Sequence, residues 1–147
     1  MATPNPNRPA RTLHDPPTNT KTVLAALWIA MLFVFAYVDI FAFWRRDVVE
    51  GALRGEVPGT GFAINQTFLA LSTIYVVVPI VMVVASLLLP ARGNRVVNVV
   101  VAAIYVVTIA LTIPGESWAY YVVGSITEVA LLLAVAWKAW TWPTTPE

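Results

Sequence analysis

Four long apolar runs, separated by short segments that hold most of the charged residues, govern what this 147-residue chain can fold into. An α-helix rises about 1.5 Å per residue, so roughly 20 apolar residues cross a hydrocarbon core of about 30 Å. The runs predict helices over 22–44, 63–89, 95–113 and 118–140. Hydrophobic residues make up 59% of the chain, charged ones only 12%, and the mean hydropathy is +0.74. Too few polar side chains remain to clothe a soluble core, so a bilayer must supply the cover. The expected fold is an all-α membrane protein, a four-transmembrane-helix up-and-down bundle preceded by a disordered N-terminal tail.

Residues 1–20 hold Pro4, Pro6, Pro9, Pro16 and Pro17 and little to bury, and read as a disordered cytoplasmic tail. The transmembrane domain is expected over 21–142, with a short tail over 143–147. The first apolar run exceeds the roughly 7–15 residues of a signal-peptide core, and no small-x-small cleavage site ends it, so it reads as an uncleaved anchor. Between Arg45 and Phe62, the apolar Val48, Val49, Ala52 and Leu53 oppose Arg46, Asp47, Glu50 and Arg54, the pattern of a short helix lying in the interface. Gly55, Pro58, Gly59 and Gly61 then break regular structure. Pro79 falls inside the second run, where it removes one helical hydrogen bond and predicts a kink, tolerated if a neighbour satisfies the freed carbonyl. Pro90-Ala91-Arg92-Gly93-Asn94 reads as a tight turn with a left-handed glycine, making the second and third helices antiparallel neighbours. Pro114-Gly115-Glu116-Ser117 makes the next reversal.

Trp44, Trp118, Tyr120, Tyr121, Trp137, Trp140 and Trp142 fall near the expected helix ends, where amphipathic rings favour the headgroup layer. With both termini cytoplasmic, Arg8, Arg11, Lys21, Arg92, Arg95 and Lys138 lie inside and only Arg45, Arg46 and Arg54 outside, the direction the positive-inside rule favours. Arg outnumbers Lys and Ala and Val abound, a habit of GC-rich bacterial genomes that points to a cell membrane.

Residue counts exclude several chemistries. Without cysteine there is no disulfide, thiolate nucleophile or iron–sulfur cluster, and the single histidine, His14, lies in the leader, away from any haem position in the helices. A net charge of +1 without a basic stripe gives no field for nucleic acid. No carboxylate cluster is spaced for a metal, and no Ser, Lys or His constellation points to catalysis. The sequence therefore predicts no enzyme, no cofactor and no metal; the lipid bilayer is its one expected partner, with a homo-oligomer open.

Two acids lie within apolar runs, Asp39 and Glu128. A carboxylate at the bilayer centre costs at least about 2.5–3.5 kcal/mol unless it finds a partner, water or a proton. Glu128 falls near the middle of the fourth helix on a face with Tyr121, Gly124, Ser125, Leu132 and Val135, and the small Gly124 and Ser125 would let another helix approach. The third helix presents Arg95, Asn98, Ala102, Tyr105, Thr108 and Thr112, which predicts a Tyr105–Glu128 hydrogen bond. The second presents Asn65, Ser72, Tyr75 and Pro79. Asp39, nearer the outer end, has Arg46 as its expected cationic partner. Its depth differs from that of Glu128 by about 10 Å, so no carboxylate dyad is expected. Glu128, Asp39, Tyr105, Tyr75 and Asn98 thus form a candidate intramembrane polar site, with Pro79 as its kink. The plainer reading is that these groups hydrogen-bond between helices and hold the bundle together, that the tyrosines pack, and that the arginines set topology.

Leu24-Ala25-Ala26-Leu27-Trp28, Tyr37-Val38-Asp39, Asn94-Arg95-Val96-Val97-Asn98, Glu128 and Trp137-Lys138-Ala139-Trp140-Thr141-Trp142 together resemble an uncharacterised family of small bacterial four-helix membrane proteins, a domain of unknown function. The resemblance spans most of 22–142, implies the four-helix architecture and brings no activity. The Pro-rich leader is outside its pattern.

Two functions follow from these residues. One is a noncatalytic structural or accessory membrane bundle. The other is a small oligomeric proton-coupled transporter or channel using Glu128, comparable in architecture to small multidrug exporters, whose acid however lies in the first helix rather than the last. A dry, hydrogen-bonded Glu128 favours the first, and a cavity reaching one face favours the second.

Overall fold

The computed structural model describes residues 17–143. It contains α1 (Thr20–Ala42), α2 (Arg46–Arg54), α3 (Gln66–Leu88), α4 (Ala91–Ala110) and α5 (Ala119–Trp140). Among the described residues there is no strand, only an isolated bridge between Glu56 and Ala63. Four helices, α1, α3, α4 and α5, are long and apolar enough to cross a membrane. The disordered tail expected over 1–20 lies outside the described residues up to position 16, and the segment 17–19 has no regular structure. Of the expected tail over 143–147, only Pro143 is described.

Local chemistry sets the helix starts. Asn19 Oδ1 accepts the Lys21 N–H at 2.9 Å and Asn65 Oδ1 accepts the Phe68 N–H at 2.9 Å, each satisfying a donor that the first turn leaves free. The short α2 ends at Gly55, whose φ of 74° is left-handed and costs a residue without Cβ little.

One turn departs from expectation. Gly93 is not left-handed but lies inside α4, which begins at Ala91, a turn before the expected start. Leu89 and Pro90 are both extended, with ψ of 148° and 153°, and they alone reverse the chain. Proline tolerates a helix start because its missing N–H would have had no partner there.

The long helices surround one core, to which α1 gives Leu24, Trp28 and Met31, α3 Met82, α4 Ala102, Tyr105 and Ile109, and α5 Leu132, Val135 and Ala139. Helix α1 packs against α3 and α5, and α4 against α5, whereas the backbones of α3 and α4 approach closely at few positions. Gly124 of α5 lies so near the Val38 side chain of α1 that a Cβ there would clash, which is the close approach its missing side chain permits. Outward faces are apolar, with Phe33, Leu71, Ile74, Val81, Leu88 and Val107 all exposed, as suits helices in lipid.

On α1 and α3 this core lies toward the end nearest the termini, whereas Ile109 of α4 carries it further along. The buried residues of α3 are Pro79, Met82 and Ser86, all at or beyond the proline. Before Pro79 no residue of the helix is fully buried, although Tyr75 is half-buried against the core, and there the interior holds recesses.

Candidate functional site

Three layers stack along the interior. The lowest is a closed polar network. Asn98 Oδ1 accepts from the Trp28 indole N–H at 2.7 Å and from the Ser86 hydroxyl at 3.2 Å, while its amide donates to Asn94 O at 2.9 Å and Asn94 Oδ1 at 2.6 Å. Asn94 Nδ2 donates in turn to the Ser86 carbonyl at 2.6 Å. Three helices are tied at a level where Asn94, Asn98, Ser86 and Trp28 are wholly buried, and polar groups there are tolerable because each is paired.

Above it lies a tyrosine layer. Pro79 has no N–H, so the carbonyl of Tyr75, four residues earlier, loses its helical donor. The Tyr105 hydroxyl donates to that carbonyl at 2.5 Å. The rings of Tyr75 and Tyr105 stack with centroids 4.6 Å apart, Trp28 meets Tyr105 edge-on, and the Tyr75 hydroxyl shares a 2.7 Å hydrogen bond with Thr108. This corrects the expected Tyr105–Glu128 bond: the carbonyl orphaned by proline has claimed the phenol.

The third layer is open. A cavity of about 520 Å³ lies between α1, α3, α4 and α5, and Asp39, Tyr75, Thr108, Thr112, Ser125 and Glu128 are on its wall. A second recess of about 680 Å³ shares Phe35, Asp39, Phe62, Phe68 and Tyr75 with it and extends along α3 past Asn65, Thr67 and Ser72. Glu128 is 3% exposed, and its Oε1 has no hydrogen-bond partner among the described residues. A buried carboxyl with an unmet oxygen is costly to maintain. Asp39 is exposed on the same cavity and makes no ion pair among the described residues.

Two further expectations are corrected here. Arg46 does not reach Asp39, because α1 ends at Ala42 and Arg46 restarts the chain in α2, where it pairs with Glu50 at 2.7 Å, one turn along. Asn98 does not join the cavity; seven residues, or about 10 Å of helix, below Tyr105, it belongs to the closed network. The structure does bring Glu128, Asp39 and Tyr75 to one cavity, with Tyr105 directly beneath, and no hydrogen bond joins the two acids.

Sequence reasoning missed the Trp28–Ser86–Asn94 network and the aromatic walls from Phe35, Phe62 and Phe68. The four-residue spacing of Asn94 and Asn98 was a usable signal, hidden by placing Asn94 in a turn. It also missed the rim. Arg45 pairs with Glu116 at 2.9 Å and Asp47 at 2.7 Å and lies over the Trp118 ring at 4.9 Å, joining the α1–α2 corner to the α4–α5 turn. Glu116 Oε1 also accepts the N–H groups of Ser117 and Trp118, at the positive end of α5. Burial pushes the Glu116 carboxyl up, but the Trp118 N–H, Arg45 and the Ser117 N–H together hold it below its ordinary value. The hydrogen bond from Arg45 likewise lowers Asp47, and the Arg45 guanidinium is raised in turn, chiefly by Asp47. At the opposite end Arg95 lies over Trp140 at 4.8 Å.

Four apolar helices able to span a bilayer, with a cavity among them that carries two acids on its wall, define a small helical membrane protein. The chain belongs to the family described as "Family of unknown function (DUF6326)", whose model matches residues 13–146. No curated protein and no solved structure matches it.

Proposed function

We propose that this chain is a noncatalytic membrane protein that exchanges a proton at Glu128 for a ligand taken into the cavity, and so acts as a small proton-coupled carrier. The observation that carries this reading is the Glu128 carboxyl: buried, unpartnered at Oε1, and on a cavity wall instead of in a helix-to-helix hydrogen bond. An acid serving only as glue would have its oxygens filled, as Asn98 has. The larger recess runs along the start of α3, and the paired Trp28–Asn98–Ser86–Asn94 network fills the interior on the other side of the tyrosine layer. In this reading the chain sits in the cell membrane with both termini cytoplasmic, the cavity faces outward, and α3 bends about Pro79 to alternate access. One bundle of four short helices encloses little space, which favours a homo-oligomer as the working unit. Nucleic acid has no place in it.

The accessory-bundle reading is favoured by a different observation, the fully paired Trp28–Asn98–Ser86–Asn94 network, which holds helices together without any ligand. Infrared difference spectra of wild type against Glu128→Gln in liposomes separate the two. A carrier predicts a Glu128 carboxyl that titrates reversibly with bulk pH and exchanges in D2O; a carboxyl that does neither is sealed between helices, and leaves the accessory reading.

A further inference from the structure

We infer that the cavity's ligand is an amphiphilic organic cation, a single positive charge on an apolar, partly aromatic body, which enters sideways between α1 and α3. The inference rests on the carrier reading and names its substrate class. Charge comes first. The two recesses hold Asp39 and Glu128, and among the described residues no cationic side chain is on either wall. The nearest arginines in sequence are engaged elsewhere, Arg45 with Asp47 and Glu116, and Arg46 with Glu50. The acidic pair has a second observation behind it, because Glu128 is 3% exposed, lines the cavity and keeps Oε1 unpartnered. A cation seated there would complete it.

Shape and wall chemistry decide which cation. A bare metal ion needs several oxygens at about 2–2.6 Å, and no group of three or more His, Cys, Asp or Glu able to hold one occurs among the described residues. The cavity of about 520 Å³ is instead of the size that takes small organic molecules. Phe35, Phe62, Phe68 and Tyr75 line both recesses, and aromatic faces attract an organic cation through their quadrupoles while covering its apolar body. The route follows from the lining. The recess of about 680 Å³ is bounded only by α1, the segment before α3, and α3 itself, so it opens between these two helices and toward lipid, where an amphiphile already concentrates. Asn65, Thr67 and Ser72 along this path give a charged head polar contacts on its way to Asp39 and then Glu128.

Binding then releases a proton. The O–H bond of protonated Glu128 breaks, the proton passes to cavity water and out to bulk, and the carboxylate pairs with the cation, so charge balances. Asp39 on α1, Tyr75 on α3 and Tyr121 on α5 are the other titratable groups on this wall, and α4 contributes only Thr108, Thr112 and Ile109.

The test is proton release from the detergent-solubilised full chain in weak buffer, on addition of tetraphenylphosphonium, of the neutral and smaller aryl-phosphorus compound triphenylphosphine oxide, or of sodium chloride. The expected result is release with tetraphenylphosphonium alone, abolished in Glu128→Gln, with affinity weakened roughly tenfold in Asp39→Asn, an exposed charge partner. Glu128→Asp, which keeps the acid, retains release and guards against a misfolded glutamine variant, as does an unchanged elution volume. Release with sodium and not with tetraphenylphosphonium overturns the substrate class and leaves the carrier reading standing. Proton release by the phosphine oxide at as low a concentration as by the cation overturns the charge argument. No proton release with any of the three overturns the inference and the proton-coupled reading together.

Discussion

The hydroxyl of Tyr105 on α4 donates to the backbone carbonyl of Tyr75 on α3, the carbonyl that Pro79 leaves without a helical donor. A defect in one helix is thereby made good by a side chain of another. Tyr75 lines the cavity with Tyr105 packed against it, and before Pro79 no residue of α3 is fully buried.

Tyr105→Phe leaves that carbonyl unmet and should destabilise the protein by about 1–3 kcal/mol in detergent unfolding. Pro79→Ala restores the N–H within α3, so the added cost of Tyr105→Phe should shrink to near zero in the double variant. Additive losses would show that the phenol acts some other way.

Asn98→Leu strips the Trp28 indole and the Ser86 hydroxyl of their shared acceptor and Asn94 of its donor. A loss of about 1–2 kcal/mol is expected, the upper range for interhelical hydrogen bonds in membranes, with cation-dependent proton release intact in the folded fraction. Loss of release in folded protein would place Asn98 in the site after all.

Gly124→Leu drives a side chain into Val38 and should cost about 1–3 kcal/mol, by strain between α1 and α5. Val38→Ala in the same chain should recover part of it. No rescue would mean that the two helices are held apart by other contacts.

The rim should respond to acid. Glu116 and Asp47 are both held below their ordinary values of 4.5 and 3.8. A carboxyl lowered on folding contributes its stability above the unfolded value and loses it as pH falls through the folded one. Thermal stability in detergent should therefore decline as pH drops below 4.5, with a flatter decline in Glu116→Gln, which has no charge to lose. Equal slopes would remove the Arg45–Glu116 pair from the account.

Hydropathy made the four long helices legible, and the opposed faces of Val48, Val49, Arg46 and Glu50 marked α2, because lipid and interface impose those patterns on composition. The need for a neighbour at the carbonyl freed by Pro79 was also readable. What spacing along one helix did not reveal was which neighbour, since the face of Tyr105 alone does not say whether its hydroxyl meets that carbonyl or Glu128. The Asp39–Arg46 pairing failed because it assumed one unbroken helix. The left-handed reading of Gly93 failed because an extended Leu89–Pro90 link suffices to turn the chain. Arg45, Glu116 and Trp118 meet only once α1 and α5 pack side by side, a contact between residues far apart in sequence that no local pattern announces.

In the proposed carrier, Glu128 faces water from one side of the membrane. The chain has no native cysteine, so a single thiol reports cleanly on access. In sealed proteoliposomes, Ser125→Cys, three residues from Glu128 on the cavity wall, should react with a membrane-impermeant thiol reagent added on the Arg45 side, and Ser86→Cys in the closed network should not. Equal inertness at both positions, or labelling at Ser86→Cys alone, would contradict the account.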